Sequence, residues 1–437
     1  MIRFHSVEMI SNLKYRKCEV GLDNVKKVVI MVNLAIKGGR LVAPEGLRTK
    51  WPVFDETDKF AVLETLTSGR WCALSHGPET KNGQFEAAFA QYLGAKYGLL
   101  VDNGTNAIAL ALKAGGVEAG DEVIVPAVTF IATATAAIQL GTIPVFADID
   151  PETYQMDPSW VRKLITEKTK AIIPVHYGGY PANMDEIMEI ADEHDLLIVE
   201  DCAEAHGSEW HVKKVGSIGH LGAFSFQQGK PLTCGEGGFV STNDEELAAK
   251  CISYANFGRM PGRPIYEHHV AGYNMRMTEI QAALLLSQLR RLPLQTEIRY
   301  VNGEYLASDL EKIGGVSALK RDPRVTKRGY YFYFIRYDAS EFKGVSRNRF
   351  LQALRAEGIP AGTAHNQPLY QNPVFVEMKS IFGKPVDYTN VHCPVSERVY
   401  ENEIVALGKD FLMEREKVDL VLEAIRKIKE NINELLN

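Results

Sequence analysis

Between Tyr97 and Val240 short apolar runs alternate with helical spacings, which predicts an α/β fold: a mostly parallel sheet with helices on both faces. The runs are YGLLV, EVIVP, TIPVFA, AIIPV, LLIVE and AFSF, separated by stretches such as Thr105 to Lys113 and Asn183 to Glu193. Their near-continuous apolarity suits strands covered on two sides, since a half-solvated strand alternates polar with apolar. Length points the same way. A chain of 437 residues exceeds one ordinary core and fits a large domain with a smaller partner.

Residues 1–30 show neither a clear period nor a capped helix, and are expected to be a dispensable extension, with Met31 as an alternative start of translation. From Asp55 the spacing of Phe60, Leu63 and Leu66 suits a surface helix, and Phe85, Phe89, Tyr92 and Leu93 suit a second one leading into the first strand. The large domain is expected over 31–290, with an N-terminal arm, and the small C-terminal α/β domain over 291–437. Beyond Met277 a long helical stretch runs to about Lys312. Tyr330 to Tyr337 then reads as an aromatic-rich strand, Arg347 to Glu357 as a helix, and Glu414 to Leu436 as a strongly helical close.

With 46% hydrophobic and 24% charged residues, the composition is that of a globular enzyme. The formal charge of −6 is mild, and no block of like charges offers a footprint for nucleic acid or anionic lipid, so a small molecule is the expected partner. Six scattered cysteines, without C-x-x-C pairs, fit a reducing cytoplasm. The apolar run from Val28 to Ile36 falls far short of the roughly 20 residues needed to cross a bilayer.

Three segments carry chemistry. In AFSFQQGKPLTCGEGGFV, Lys230 sits in a Gly-flanked loop between a strand ending near Phe226 and one beginning near Gly238. Ligands of α/β enzymes bind at such sheet ends. A lysine that attacks a carbonyl must lose its proton, which partial burial favours, and the apolar flanks suit that. A phosphate loop of the Walker type is excluded, because Phe224 and Pro231 stand where Gly and Ser or Thr are required. In VDNGTNAIAL a strand turns through Asn103 and Gly104 into a helix near Thr105, an arrangement that serves as a simple cap or as an anion site. In IVEDCAEAHG the strand Leu196 to Val199 delivers Glu200 and Asp201 to its carboxyl end. A carboxylate there can pair with a protonated ring nitrogen; a helix cap, or a metal cluster of Asp201, Glu204 and His206, fits the spacing as well. His268 and His269 are adjacent and cannot chelate as an i, i+4 pair does, so no metal is expected.

Taken in order, NGTNAIALAL, EVIVPAVTFIATATA, PVFADIDPETYQMD, VHYGGYPANMD, VEDCAEAHGS, GAFSFQQGKPLTCGEGGFV and GYNMRMTEIQAALLLSQL resemble the DegT/StrS sugar aminotransferases from about Leu34 to the C-terminus. These are fold type I pyridoxal 5'-phosphate enzymes. The resemblance implies a seven-stranded-type sheet, with Lys230 as the Schiff-base lysine and Asp201 as the partner of the pyridine nitrogen. It places Gly104, Thr105, Asn106 and Ser225 at the phosphate and Phe130 on the cofactor ring. Glu204 stands where relatives often have Gln or His near the ring hydroxyl. Asn274, with Arg276 as its substitute, falls in the segment that reaches the neighbouring subunit's phosphate, which implies a homodimer with shared sites. The phrases LAIKGGRLVAPEGLRTKWPVFDE and SGRWC look most like the branch of glutamine:scyllo-inosose aminotransferases and aminohydroxybenzoate synthases. The implied reaction moves an amino group from glutamine or glutamate to a keto sugar or keto cyclitol. A nucleotide-linked keto sugar, or a cofactor-binding regulatory role without transfer, are the alternatives.

Overall fold

The computed structural model describes residues 33–47, 49–72, 77–260 and 262–436. The extension expected over 1–30 and the start at Met31 lie outside the described residues.

Seven strands form the main sheet: β1 (Tyr97–Val101), β2 (Glu122–Pro126), β3 (Ile143–Ala147), β4 (Thr169–Ile172), β5 (Leu197–Asp201), β6 (Leu221–Ser225) and β7 (Gly238–Thr242). Their order is β1-β7-β6-β5-β4-β2-β3. β7 runs antiparallel to both neighbours, and the other pairs are parallel. Both faces are covered, as the apolar runs predict. Val123 and Val125 of β2 pack into one core with helix α3 (Gly104–Ala114), whereas Ile124 between them joins a second core with Ile187 and Ile190 of the helix Met184–His194. Successive side chains of a strand point to opposite faces, so this alternation buries the strand on both.

Further on, the expected long helix from Met277 is two helices, α8 (Glu279–Leu289) and α9 (Leu292–Ile313). Pro293, in the first turn of α9, explains the break: it has no N–H to give the carbonyl of Leu289 and its ring crowds that carbonyl. A three-stranded sheet follows, made of β8 (Val316–Ala318), β9 (Phe332–Tyr337) and β10 (Ile404–Gly408), with β9 in the middle. The C-terminal helix Arg415–Glu430 lays Val418, Val421, Leu422, Ile425 and Ile428 against this sheet's core, the i, i+3, i+4, i+7 stripe of an amphipathic helix. Each such side chain contributes about 1.5–3 kcal/mol of apolar burial. Leu34, Ala43 and Leu47 of the arm join the same core.

Helix α1 (Glu56–Ser68) starts at an Asp55–Asp58 capping box. It packs on α8 through polar groups: Asp58 accepts from Gln288 at 2.9 Å and pairs with Arg291 at 2.7 Å. Its apolar stripe faces outward, with Phe60 67% and Leu63 60% exposed.

Candidate active site

The carboxyl ends of β1, β2, β4, β5 and β6 lie along one edge of the sheet, and the residues expected from the sequence, Asn274 excepted, lie there. Lys230 follows β6 in a loop closed by its own backbone: Gln228 donates to the Gly235 carbonyl and Lys230 to that of Gln227, both at 2.8 Å. The lysine's Nζ lies 3.7 Å from Glu204 Oε1 and 4.3 Å from the centre of the Tyr331 ring. Gly178 donates its amide to the other Glu204 oxygen at 2.8 Å. Burial pushes the Glu204 carboxyl pKa up, against the pull of Lys230 and that amide. Asp201, at the end of β5, is also buried. Thr133 Oγ1 donates to its Oδ2 at 2.8 Å and the Ala203 amide to its Oδ1 at 3.1 Å. Burial still raises its pKa.

At the start of α3, Asn103 caps the helix by accepting the Asn106 amide at 2.8 Å. Asn106 turns its side-chain amide back onto Asp102, at 2.9 Å and 3.0 Å to the two carboxylate oxygens, so its side chain is engaged within the turn. The amides of Gly104 and Thr105 have no partner among the described residues, as expected at a helix start. Ser225 closes the cradle: a Cβ placed on Gly104 would lie 2.6 Å from Ser225 Cβ, so only glycine allows the start of α3 to meet the end of β6. Phe130 is 54% exposed, unlike a core phenylalanine, and its ring centre lies 6.0 Å from that of His365.

Several site residues were not legible in the sequence. Thr133, Tyr331, His365 and Tyr177 come from four separate segments, and nothing in their local patterns marks them. Tyr177 is fully buried, with its hydroxyl 3.0 Å from His365 Nδ1. Burial, helped by the charge of Lys230, pushes the His365 pKa down to about 4. Asn274 stands apart from this group. It is exposed, paired as an isolated bridge with Asn256, which also accepts from Arg276 at 2.7 Å.

The metal alternative finds a different cluster: the ligand atoms of His176, Glu200 and Cys202 gather beneath the strand ends, without Asp201, Glu204 or His206. Its donors are spent. His176 Nδ1 accepts from the Ala182 amide at 3.0 Å, which leaves its proton on Nε2, 3.0 Å from Glu200 Oε2. Glu200 also accepts three amides, from Gly216, Ile218 and Gly219, at 2.7–2.8 Å.

A sequence profile described as the DegT/DnrJ/EryC1/StrS aminotransferase family matches residues 52–426. The chain belongs to this family. It is accordingly a pyridoxal-phosphate-dependent transaminase. The L-glutamine:scyllo-inosose aminotransferase of Streptomyces griseus is 34% identical, over 92% of this chain and 99% of the relative. The L-glutamine:2-deoxy-scyllo-inosose aminotransferase of Streptoalloteichus tenebrarius is 35% identical over the same shares. The crystal structure of 3-amino-5-hydroxybenzoic acid synthase superposes with a TM-score of 0.79 at 32% identity, covering 87% of this chain and 98% of that one. The residues present fit the family's cofactor. A Gly104–Ser225 cradle with open amides at a helix start suits a phosphate, and a half-buried lysine beside Glu204, with the buried Asp201 carboxylate nearby in the site, suits an aldehyde and a ring nitrogen.

Proposed function

We propose that this aminotransferase moves an amino group from glutamine or glutamate to a keto cyclitol resembling scyllo-inosose, or to a keto sugar. The observation that carries the reading is Lys230 Nζ, held 3.7 Å from Glu204 and over Tyr331 at the mouth of a buried carboxylate site. The named activities of relatives at 34% and 35% identity over nearly their whole length support the acceptor class.

Pyridoxal phosphate, when bound, supplies an aldehyde for the amine and a ring that draws electrons from the reacting carbon. The chain's own residues do the rest. Gly104 and Thr105 amides, the α3 dipole and the Ser225 hydroxyl would hold the phosphate, with Asn106 fixing the turn. Asp201, fixed by Thr133 and Ala203, would keep the ring nitrogen protonated, and Phe130 would cover a ring face. Lys230 Nζ would hold the cofactor at rest and, once displaced, carry a proton away from the donor's α-carbon and return one in the second half-reaction. Residues 31–290 would form the cofactor-binding body and 291–437 the smaller one, with Leu34, Ala43 and Leu47 of the arm packed into the core of the smaller one. Among the described residues no helix is long and apolar enough to cross a membrane. The scattered cysteines favour the cytoplasm.

The same reading makes the protein a homodimer with shared sites. The outward stripe of α1 and the exposed Asn274 both support it. Mixing inactive Lys230→Ala and Asn274→Glu proteins under subunit exchange should restore about a quarter of wild-type sites. No recovery after verified exchange would tie Asn274 to its own subunit or to no site.

The substrate test is optical. Glutamine or glutamate should abolish the absorbance of the lysine-bound cofactor, and one acceptor from a panel of keto cyclitols, keto sugars and nucleotide-linked keto sugars should restore it. Loss of absorbance with recovery only by a nucleotide-linked sugar would overturn the acceptor class. A chromophore that no amino donor changes would leave the regulatory reading.

A further inference from the structure

The arm ahead of α1 is hydrogen-bonded to the loop of Lys230 through Trp51. At Leu34, Ala43 and Leu47 it is built into the core of the three-stranded sheet, and Ala43 donates to the Glu357 carbonyl at 2.9 Å. Thr49 Oγ1 then donates to the Asp410 carbonyl at 3.2 Å and accepts from Lys417 Nζ at 2.9 Å. Two residues later the indole N–H of Trp51 donates to the carbonyl of Gln228 at 2.7 Å, two positions before Lys230.

The face of the same indole covers a cation. Lys409, just past the end of β10, places Nζ 3.8 Å from the Trp51 ring centre and 2.8 Å from Asp410 Oδ1, with only 5% of its side chain exposed. A buried ammonium is costly unless it is paired, and a carboxylate with an aromatic face is such a pairing. Burial draws its pKa down to about 8 against the pull of Asp410, and the charges of Arg299 and Lys230 push the same way. The Lys409 amide donates to the carbonyl of Tyr331 at 3.1 Å, and the Tyr331 ring lies 4.3 Å from Lys230 Nζ. The contacts close a circle: Lys230, Tyr331, Lys409, Trp51, Gln228 and back to Lys230.

We propose that Trp51 and Lys409 form a clamp by which the arm and the second sheet hold the Lys230 loop over Tyr331, making both positioning residues for the lysine. The bonds inside the loop, between Gln228 and Gly235 and between Lys230 and Gln227, close its base but do not fix it to the arm or to the three-stranded sheet. The Trp51 bond does, and Lys409 keeps the indole in place to make it. The inference rests on the reading of Lys230 as the cofactor lysine.

Three variants test it. Trp51→Phe keeps a ring for Lys409 and removes the indole donor, Lys409→Met keeps the stem and removes the cation, and Lys409→Arg restores the cation. Hydrogen exchange followed by mass spectrometry is read over residues 227–236, in the holoenzyme and in the cofactor-free protein. Exchange should quicken about three- to tenfold in Trp51→Phe and Lys409→Met, the range one hydrogen bond supports, with the C-terminal helix unchanged. Lys409→Arg should return to wild-type exchange. Visible circular dichroism of the bound cofactor should weaken in the same two variants, because a looser lysine holds the chromophore less rigidly. The double variant should exchange no faster than the faster single one, since both break the same clamp. Exchange within twofold of wild type with unchanged dichroism in Trp51→Phe would overturn the proposal, as would multiplicative effects in the double variant. A wild-type protein that fails to take up pyridoxal phosphate would refute the reading of Lys230 instead, since the exchange measurement in the free protein still tests the clamp.

Discussion

Glu200 and Asp201 are neighbours on β5, and their carboxylates lie in opposite surroundings. Glu200 is fully buried and fully engaged, accepting three backbone amides and a histidine proton. Asp201, on the other side of the strand, receives one hydroxyl and one amide, and burial raises its pKa nonetheless. The first arrangement leaves no lone pair for a ligand; the second keeps acceptor capacity in a place where it is costly to hold without one. A buried charge with every partner supplied ties the strand to the loop 216–219, whereas one left short of partners is poised for a cationic or proton-bearing group.

The largest expected effects fall on the under-satisfied side. Lys230→Ala should fold and bind pyridoxal phosphate, lose the absorbance of the lysine-bound form, and lose about 10²–10⁴-fold or more of its transfer rate. Substantial turnover in that variant would remove the lysine from the mechanism. Asp201→Asn should keep bound cofactor and fold, with a severely reduced kcat, because a neutral amide does not hold a pyridine nitrogen protonated. Near-normal kinetics would place Asp201 among the structural carboxylates with Glu200.

Glu200→Gln sharpens the contrast in the other direction. An amide nitrogen turned towards Ile218 and Gly219, or towards Gly216 and His176, sets donor against donor. Each amide left unpaired costs about 1–3 kcal/mol. The urea midpoint should fall, while the folded variant keeps its cofactor content and kcat near wild type. A collapse of kcat at unchanged stability would mean that the two carboxylates are not divided as their partners indicate.

The same contrast bears on what the sequence could reveal. Strands covered on both faces wrote themselves as apolar runs, and Lys230, Asp201, Gly104 and Ser225 stand in segments whose order alone carries the resemblance. Glu200 and Asp201 look alike in the sequence, because saturation depends on amides from a loop 16–19 residues away and on a histidine 24 residues upstream. Thr133, Tyr331, His365, Trp51 and Lys409 were missed for the same reason: each reaches the site from a different element, and no local period records a tertiary meeting. The stripe of α1 was visible, but its period is the same whether it meets the protein's own core or another surface. The break between α8 and α9 was written in Pro293, which a helical spacing overlooks.

The smallest predicted effect concerns a histidine buried among aromatic rings. His206 is fully buried among Phe89, Phe224 and Phe226, with ring centres at 6.4, 5.5 and 5.8 Å. Burial first, then the charge of Lys230, pushes its pKa down to about 3. An unfolded histidine titrates near 6.5. As pH falls below that value the unfolded chain gains a proton that the folded chain refuses until about pH 3. The neutral ring therefore contributes stability fully above pH 6.5 and loses it on acidification, by about 1.4 kcal/mol per pH unit within the window. His206→Phe places an aromatic ring among aromatic rings and cannot take up the proton. Any packing cost of the substitution is independent of pH, so the slope isolates the titration. Urea unfolding of the cofactor-free protein at pH 7, 5.5 and 4.5 should show the variant gaining on wild type by about that slope below pH 6, with His365 contributing equally to both proteins. Parallel curves would mean that His206 is protonated in the fold and has a partner for its charge.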